Sequence, residues 1–303
     1  MTMDHFEIRH PDFHSVIGED AQLDVVADGF TFTEGPIWHP DDHYLIFSDV
    51  AESCQYRWSE TDGLAVFRKP SNQANGNCFD PDGRVVSCEH ASSELVRHEH
   101  GGKLVSAIAR QFERHELNSP NDVVSDGAGN IYFTDPAFGR TREDLGILRD
   151  QELPFQGVYR LSPQGELSLL VKDLQQPNGL CLSLDETQLY VNDSWGPTIH
   201  RYQLTKDGTV EGGTLWATVT GDGAWVPDGM KLDLNGHLFC NGPGGVHIFN
   251  SDAECLGVIL LPEKSTNFCF GSADRTQLFI TASTRVYRIE TKTKGPEMIP
   301  GRA

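Results

Sequence analysis

The sequence predicts an all-β fold, a six-bladed β-propeller with four-stranded blades, and three observations carry that prediction. Helical periodicity is scarce, while short β-rich runs bounded by Asp, Asn, Gly and Pro recur along the 303 residues. Six segments share one shape, a turn rich in Asp, Pro and Gly followed by a large apolar pair and a small polar residue. Their spacing averages about 47 residues, the period of a four-stranded blade and far from that of ankyrin or leucine-rich repeats.

Taken in chain order, residues 1–20 read as an N-terminal extension and 21–303 as a single propeller domain. The repeats are HPDDHYLIFSD ending at Asp49, DPDGRVVSCE ending at Glu89, DGAGNIYFTD ending at Asp135, LDETQLYVND ending at Asp193, DLNGHLFCNG ending at Gly242 and ADRTQLFITA ending at Ala282. The intervals are 40, 46, 58, 49 and 40 residues. The longest holds FGRTREDLGILRDQELPFQG, from Phe138 to Gly157, which is too long for a hairpin turn and reads either as a lid or as a plain surface excursion. Ring closure is expected to lay the early strand around Leu23 to Val26 beside the last one, Arg285 to Ile289, protecting edges that would otherwise pair with other chains.

Composition excludes several classes of partner. With 24 Lys and Arg against 44 Asp and Glu the net charge is −20, which repels phosphate backbones and anionic lipid, so neither nucleic acid nor a membrane surface is expected. No run approaches the length of a membrane span, and Met1 to His10 lacks the apolar stretch of a secretory signal, so the expected location is cytoplasmic. The seven cysteines are odd in number, form no C-x-x-C pair and sit in apolar runs such as Leu238-Phe239-Cys240, as reduced core thiols do.

One register position stands out. Counting 14 or 15 residues back from each repeat end reaches Glu34, Asn75, Asn121, Asn178, Asp228 and Asn267, all of them acids or amides. Each lies at the mouth of an apolar strand, in TEGP, ANGN, PNDV, PNGL, PDGM and TNFC. In a propeller, equivalent residues at the start of the innermost strands converge on the central channel. The competing explanation is repeated turn chemistry, but Glu34 is a poor turn former and the blade turns, Asp82-Gly83 and Asn235-Gly236, lie elsewhere. Carboxylate and amide oxygens without His or Cys suit a hard divalent cation, Ca²⁺ first and Mg²⁺ or Mn²⁺ second, with Zn²⁺ and Fe²⁺ still open.

Rival motifs give little. The nucleophile elbow, the Walker loop, H-E-x-x-H and the dinucleotide glycine fingerprint are absent. His98 and His100, in RHEHGG, read as an exposed hairpin end, and Asp80-Pro81-Asp82-Gly83 reads as a turn because it lacks the remaining acids of a calcium loop.

The motifs TEGPIWHP, ANGN with SCEH, LNSPNDVV with YFTDPAFG, QQPNGLCLS and VPDGM, in that order from about Gly29 to Arg288, resemble the SMP-30/gluconolactonase/luciferin-regenerating-enzyme family, and within it the bacterial gluconolactonase branch. The resemblance implies one divalent metal on the propeller axis, held by Glu34, Asn178 and Asp228, with Asn121 contacting the metal or its water and substrate. Asn75 and His90 correspond to substrate-binding positions of the pocket, and Asn267 receives no role. Animal members carry an Arg two residues before the Asn that matches Asn121; here that position is Ser119, so sugar contacts made by that Arg do not transfer.

The expected activity is therefore hydrolysis of a sugar lactone to its aldonic acid, in which the metal polarises the ring carbonyl and Asp228 is the catalytic general base. The expected partner is the small-molecule lactone alone, with the chain a monomer or weak homodimer. Two alternatives share these residues: an organophosphate hydrolase of the diisopropyl-fluorophosphatase type, and a non-catalytic calcium-binding propeller.

Overall fold

The computed structural model describes residues 5–99, 104–223 and 225–299, so the first four residues of the expected extension, His100 and the last four residues of the chain lie outside the described residues. Six antiparallel blades follow one another along the described residues, built on four strands consecutive in sequence except for the last, which has three, and a two-stranded ribbon joins Gln111–Phe112 to His115–Glu116. The first blade runs Thr33–His39, Tyr44–Asp49, Cys54–Ser59 and Gly63–Arg68 from the axis outward. The innermost strands of the others are Ala74–Phe79, Val123–Ser125, Pro177–Leu182, Met230–Leu232 and Ser265–Gly271.

Asp49, Glu89, Asp135, Asp193, Gly242 and Ala282, the six repeat ends, are each the last residue of their blade's second strand. The apolar pair before each end has a packing reason. Successive residues of a strand face opposite sides, and in a propeller both sides meet a neighbouring blade rather than water. Tyr132 accordingly packs with Leu189 and Val191 of the fourth blade, while its neighbour Phe133 packs with Val86 and Leu95 of the second. Ile46 and Phe47 divide in the same way between Phe79 on one side and Phe279 on the other. Six apolar clusters result, one for each junction between adjacent blades.

The turns inside the repeats are closed by aspartates. Asp80 Oδ1 accepts from the N–H groups of Asp82 and Arg84, and Asp233 Oδ1 does the same for Asn235 and His237, with Gly83 and Gly236 in the left-handed conformation those turns need. Asp80-Pro81-Asp82-Gly83 is thus a turn.

Closure takes the expected form. Asp24–Asp28 becomes the outer strand of the last blade and pairs with Arg285–Glu290, Asp24 opposite Arg288 and Val25 opposite Tyr287. Phe6–Ile8 adds a fifth strand to the fifth blade, against Cys255–Leu260. The seven cysteines are free thiols, all but Cys255 buried. The two described helices, Phe13–Val16 and Phe138–Thr141, have four residues each, and no helix of the described residues is long and apolar enough to cross a membrane.

Candidate functional site

The register residues are delivered by two hydrogen-bonding devices that the repeat shape contains. The first is the repeat-end carboxylate, which grips the backbone leading into its blade's inner strand. Asp49 accepts from the N–H groups of Thr31 and Phe32 at 3.0 and 2.9 Å, Asp135 from Asn118 at 2.8 Å, and Asp193 from Gln175 and Gln176 at 2.7 and 3.0 Å. The second is the small polar residue just before it, which reaches to the next blade. Ser48 donates to the Asn75 carbonyl at 2.8 Å, Thr134 to that of Asn178 at 2.7 Å, and Asn192 to that of Asp228 at 2.5 Å.

Glycines after the register residues let the inner strands crowd the axis. A Cβ on Gly35 would lie 2.1 Å from the Asn75 carbonyl oxygen, and one on Gly179 would lie 2.0 Å from that of Asp228. The repeated E-G, N-G and D-G pairs therefore mark close approach of blades at the channel, not turns.

Glu34, Asn75, Asn121, Asn178, Asp228 and Asn267 are all buried, none more than 5% exposed. Burial holds Glu34 well above the usual carboxylate range, and the nearby Asp228 and Asp122 charges push it further up. Burial also raises Asp228, partly offset by Lys264 and by a hydrogen bond from Asn178. Lys264 Nζ lies 3.2 Å from Asp228 Oδ2 and also rests over the Phe32 ring. Asn178 Nδ2 donates to Ser194 Oγ at 3.0 Å, and Ser194 in turn donates to the Pro227 carbonyl.

Asn75, His90 and Asn121 form a second group beside the first. His90 is fully buried, and burial lowers its pKa to about 4, so at neutral pH the ring is uncharged. Its Nδ1 faces the Leu145 carbonyl at 2.9 Å, which fixes that nitrogen as the donor and leaves Nε2 to accept from Asn75 at 3.3 Å and Asn121 at 3.5 Å.

Leu145 belongs to the 138–157 segment, which is packed down as a wall. The buried Arg140 anchors it, donating to the Asn118, Leu117 and Asp150 carbonyls and pairing with Glu116 at 2.5 Å. Ser119 is used in the same anchoring, donating to the Pro136 carbonyl and accepting from the Gly139 N–H.

Three charged residues on the axis escaped the sequence reading. Lys264 and Lys231 each occur once, without a repeat to flag them; Asp122, by contrast, stands where the PNGL and PDGM repeats have glycine, and that break was readable. Lys231 Nζ lies 3.4 Å from Asn267 Oδ1 and 3.8 Å from Asp122 Oδ2, which gives Asn267 a partner. Among the described residues no three His, Cys, Asp or Glu side chains group to hold a metal; the axial set mixes two carboxylates with amides. Farther along the inner strands, a cavity of about 410 Å³ is lined by Ile37, Phe79, Leu182, Lys231 and Met298 and includes none of the six register residues. His98 corrects one expectation: it is buried, with Nε2 3.1 Å from Ser87 Oγ and its ring stacked on Phe67, not an exposed hairpin end.

Comparison with known proteins places this architecture. Residues 32–284 match the SMP-30/gluconolactonase/LRE-like region. The chain belongs to that family. It is 34% identical to a gluconolactonase of Zymomonas mobilis, over 94% of this chain and 85% of that one. A solved gluconolactonase structure from Xanthomonas campestris superposes with a TM-score of 0.89 at 32% identity, covering 96% of each chain. The pentonolactonase XacC of Haloferax volcanii is 24% identical over 86% of this chain and 84% of its own length.

Proposed function

We propose that this family member hydrolyses a sugar lactone to the aldonic acid in the axial site, with a divalent cation held by Glu34, Asn178, Asp228 and Asn121. One observation carries the reading: two buried carboxylates share the axis, Asp228 close enough to raise the proton affinity of Glu34, in a chain whose relatives over most of its length include gluconolactonases. The donor set fits a hard cation. Two carboxylates match a divalent charge, and the amide nitrogens of Asn178 and Asn121 are turned to Ser194 and His90, which leaves their oxygens for the ion. Ca²⁺ suits such ligands first.

When bound, the ion supplies Lewis acidity, polarising the lactone carbonyl and stabilising the negative charge that develops on its oxygen. Asp228 takes the proton from the attacking water, burial favouring its uptake, and passes it to the ring oxygen as the acyl C–O bond of the lactone breaks; its Oδ2 points toward solvent-reaching Lys264. Glu34 contributes charge and stays fixed by the Gly35 N–H on Oε2. Asn75, Asn121 and His90 bind the sugar: the neutral imidazole orients the two amides by accepting from both at Nε2, and each amide keeps a second N–H to donate to a ring hydroxyl.

The test uses metal-depleted protein reconstituted with Ca²⁺, Mg²⁺, Mn²⁺, Zn²⁺ or Fe²⁺ and assayed by pH-stat on glucono-δ-lactone and xylonolactone. Asp228→Asn keeps an oxygen ligand while removing the basicity, and turnover should fall about 10²–10⁴-fold with metal still bound. Undiminished turnover removes Asp228 from the base role. Hydrolysis of a fluorophosphate but of no lactone replaces the substrate class, and no hydrolysis of either leaves a non-catalytic propeller.

A further inference from the structure

We propose that Lys264 is an intramolecular competitor for the axial divalent cation, and that it sets the affinity of the site through the Asp228 carboxylate that both cations need. The inference rests on the metal reading above. Lys264 Nζ lies 3.2 Å from Asp228 Oδ2, a full ion pair at a carboxylate that is almost completely buried. Lys264 also lies near enough to Glu34 to lower its proton affinity, so this one ammonium serves the axial carboxylates through its pair with Asp228. The three carboxylates are Glu34, Asp122 and Asp228, and the two ammonium groups are Lys231 and Lys264. Lys231 is engaged with Asp122 and Asn267, which leaves Lys264 as the cation on Asp228.

The side chain is built to leave. Its backbone carbonyl is held by Ser283 Oγ at 3.3 Å, but the ammonium sits on a flexible four-carbon stem, a quarter exposed, with the Phe32 ring as a resting surface. Two cations on one buried carboxylate repel each other in a region of low effective dielectric. An ion that takes Asp228 therefore has to break or weaken this pair, and the cost appears as reduced metal affinity. Without the ion, the same ammonium prevents Asp228 from standing as an uncompensated charge beside Glu34, which keeps the metal-free protein folded.

The experiment is calorimetric titration of chelator-treated full-length protein with Ca²⁺ and Mn²⁺, for wild type, Lys264→Gln and Lys264→Arg, together with thermal melts in EDTA and in excess Ca²⁺. Lys264→Gln should bind Ca²⁺ about tenfold more tightly than wild type, a figure reduced from full Coulombic strength because the ammonium is part-exposed. Lys264→Arg, which keeps the charge, should stay within a few-fold of wild type. Lys264→Gln should also melt lower than wild type in EDTA and recover in Ca²⁺. Equal or weaker Ca²⁺ binding by Lys264→Gln, with wild type binding normally, overturns the role of Lys264 and leaves the metal reading intact. Failure of wild type to bind any divalent cation overturns both. If Lys264→Gln does not fold, Lys264→Met keeps the packing on Phe32 and answers the same question.

Discussion

Gly179→Ala is the substitution whose effect follows most directly from the geometry. The added Cβ would sit 2.0 Å from the Asp228 carbonyl oxygen and 2.9 Å from Asn192 Nδ2. Ordinary contact begins at 3.4 Å, so Asp228 or Gly179 must retreat by about 1.4 Å. Neither is free to do so. Asn192 Nδ2 holds the Asp228 carbonyl at 2.5 Å, and the neighbouring Asn178 carbonyl is held by Thr134 at 2.7 Å. The strain should cost about 1–3 kcal/mol of stability, as overpacking in a tight core does. In a chain of 303 residues that is about 1.5 °C of melting temperature per kcal/mol. The functional loss should be larger, because the clash displaces Asp228, the proposed base, against Gly179, the neighbour of the proposed cation ligand Asn178, and a misplacement near 1 Å costs about 10²-fold in rate. Melting curves in Ca²⁺ and lactone kinetics on the same preparation separate the two effects. Gly179→Ala with a wild-type melting temperature and wild-type kcat would refute the claim that inter-blade contact at this glycine positions Asp228.

Three further outcomes are expected. Arg140→Met removes the buried guanidinium that anchors the 138–157 wall, so proteolysis should cut within that segment and KM for the lactone should rise as Leu145 releases His90, with a stability loss of about 3–5 kcal/mol for the abandoned partners; an unchanged digest contradicts the wall. Asp135 is lifted by burial to about 7, so its folded form keeps a proton that the unfolded chain has lost, and stability falls as pH rises from about 4 through 7. Asp135→Asn should then gain stability over wild type in urea melts at pH 8, by about 1–3 kcal/mol, but not at pH 4, and equal differences at both pH values would count against it. Chelation should lower the melting temperature of wild type and abolish lactone hydrolysis, and Ca²⁺ at about 100 times its Kd should restore about 2.7 kcal/mol.

The fold was legible because propeller packing writes itself into every repeat. Each blade's second strand must be apolar on both sides, so Tyr132 and Phe133, or Ile46 and Phe47, stand together in a way that a half-exposed sheet forbids. Each blade turn needs its aspartate and glycine, and that supplies the punctuation between pairs. Glu34 and Asp228 were legible for a related reason: the rotation axis places them at one register, so a count along the chain gathers residues almost 200 positions apart. What the count gathers is only what repeats. Lys264 and Lys231 each act once and leave no periodic trace. His98 was misread from its charged neighbours, although Val96 and His98 alternate with Arg97 and Glu99 as buried and part-exposed faces of one strand.

The clamp on the lead-in segments shows where periodicity stops carrying information. Asp49, Asp135 and Asp193 hold the segments before Glu34, Asn121 and Asn178, but the fifth and sixth repeats end in Gly242 and Ala282, which have no carboxylate to offer. The fifth blade is held from its neighbour instead, by Asn192 on the Asp228 carbonyl and Ser194 on that of Pro227. In the sixth the device is inverted: Glu263, on the lead-in segment itself, accepts from the Thr284 N–H at 2.9 Å and from the Tyr287 hydroxyl. The same mechanical need is met by a residue of another type at another register, so no search for a repeated letter could find it. These are also the blades that bring Asp228 and Lys264 together. Glu263→Ala should therefore loosen the backbone under Lys264 and shift Ca²⁺ affinity toward that of Lys264→Gln, whereas Asp49→Ala, which loosens the Glu34 side of the site, should weaken Ca²⁺ binding. Titrations that move both variants in the same direction would show that the two clamps serve only stability.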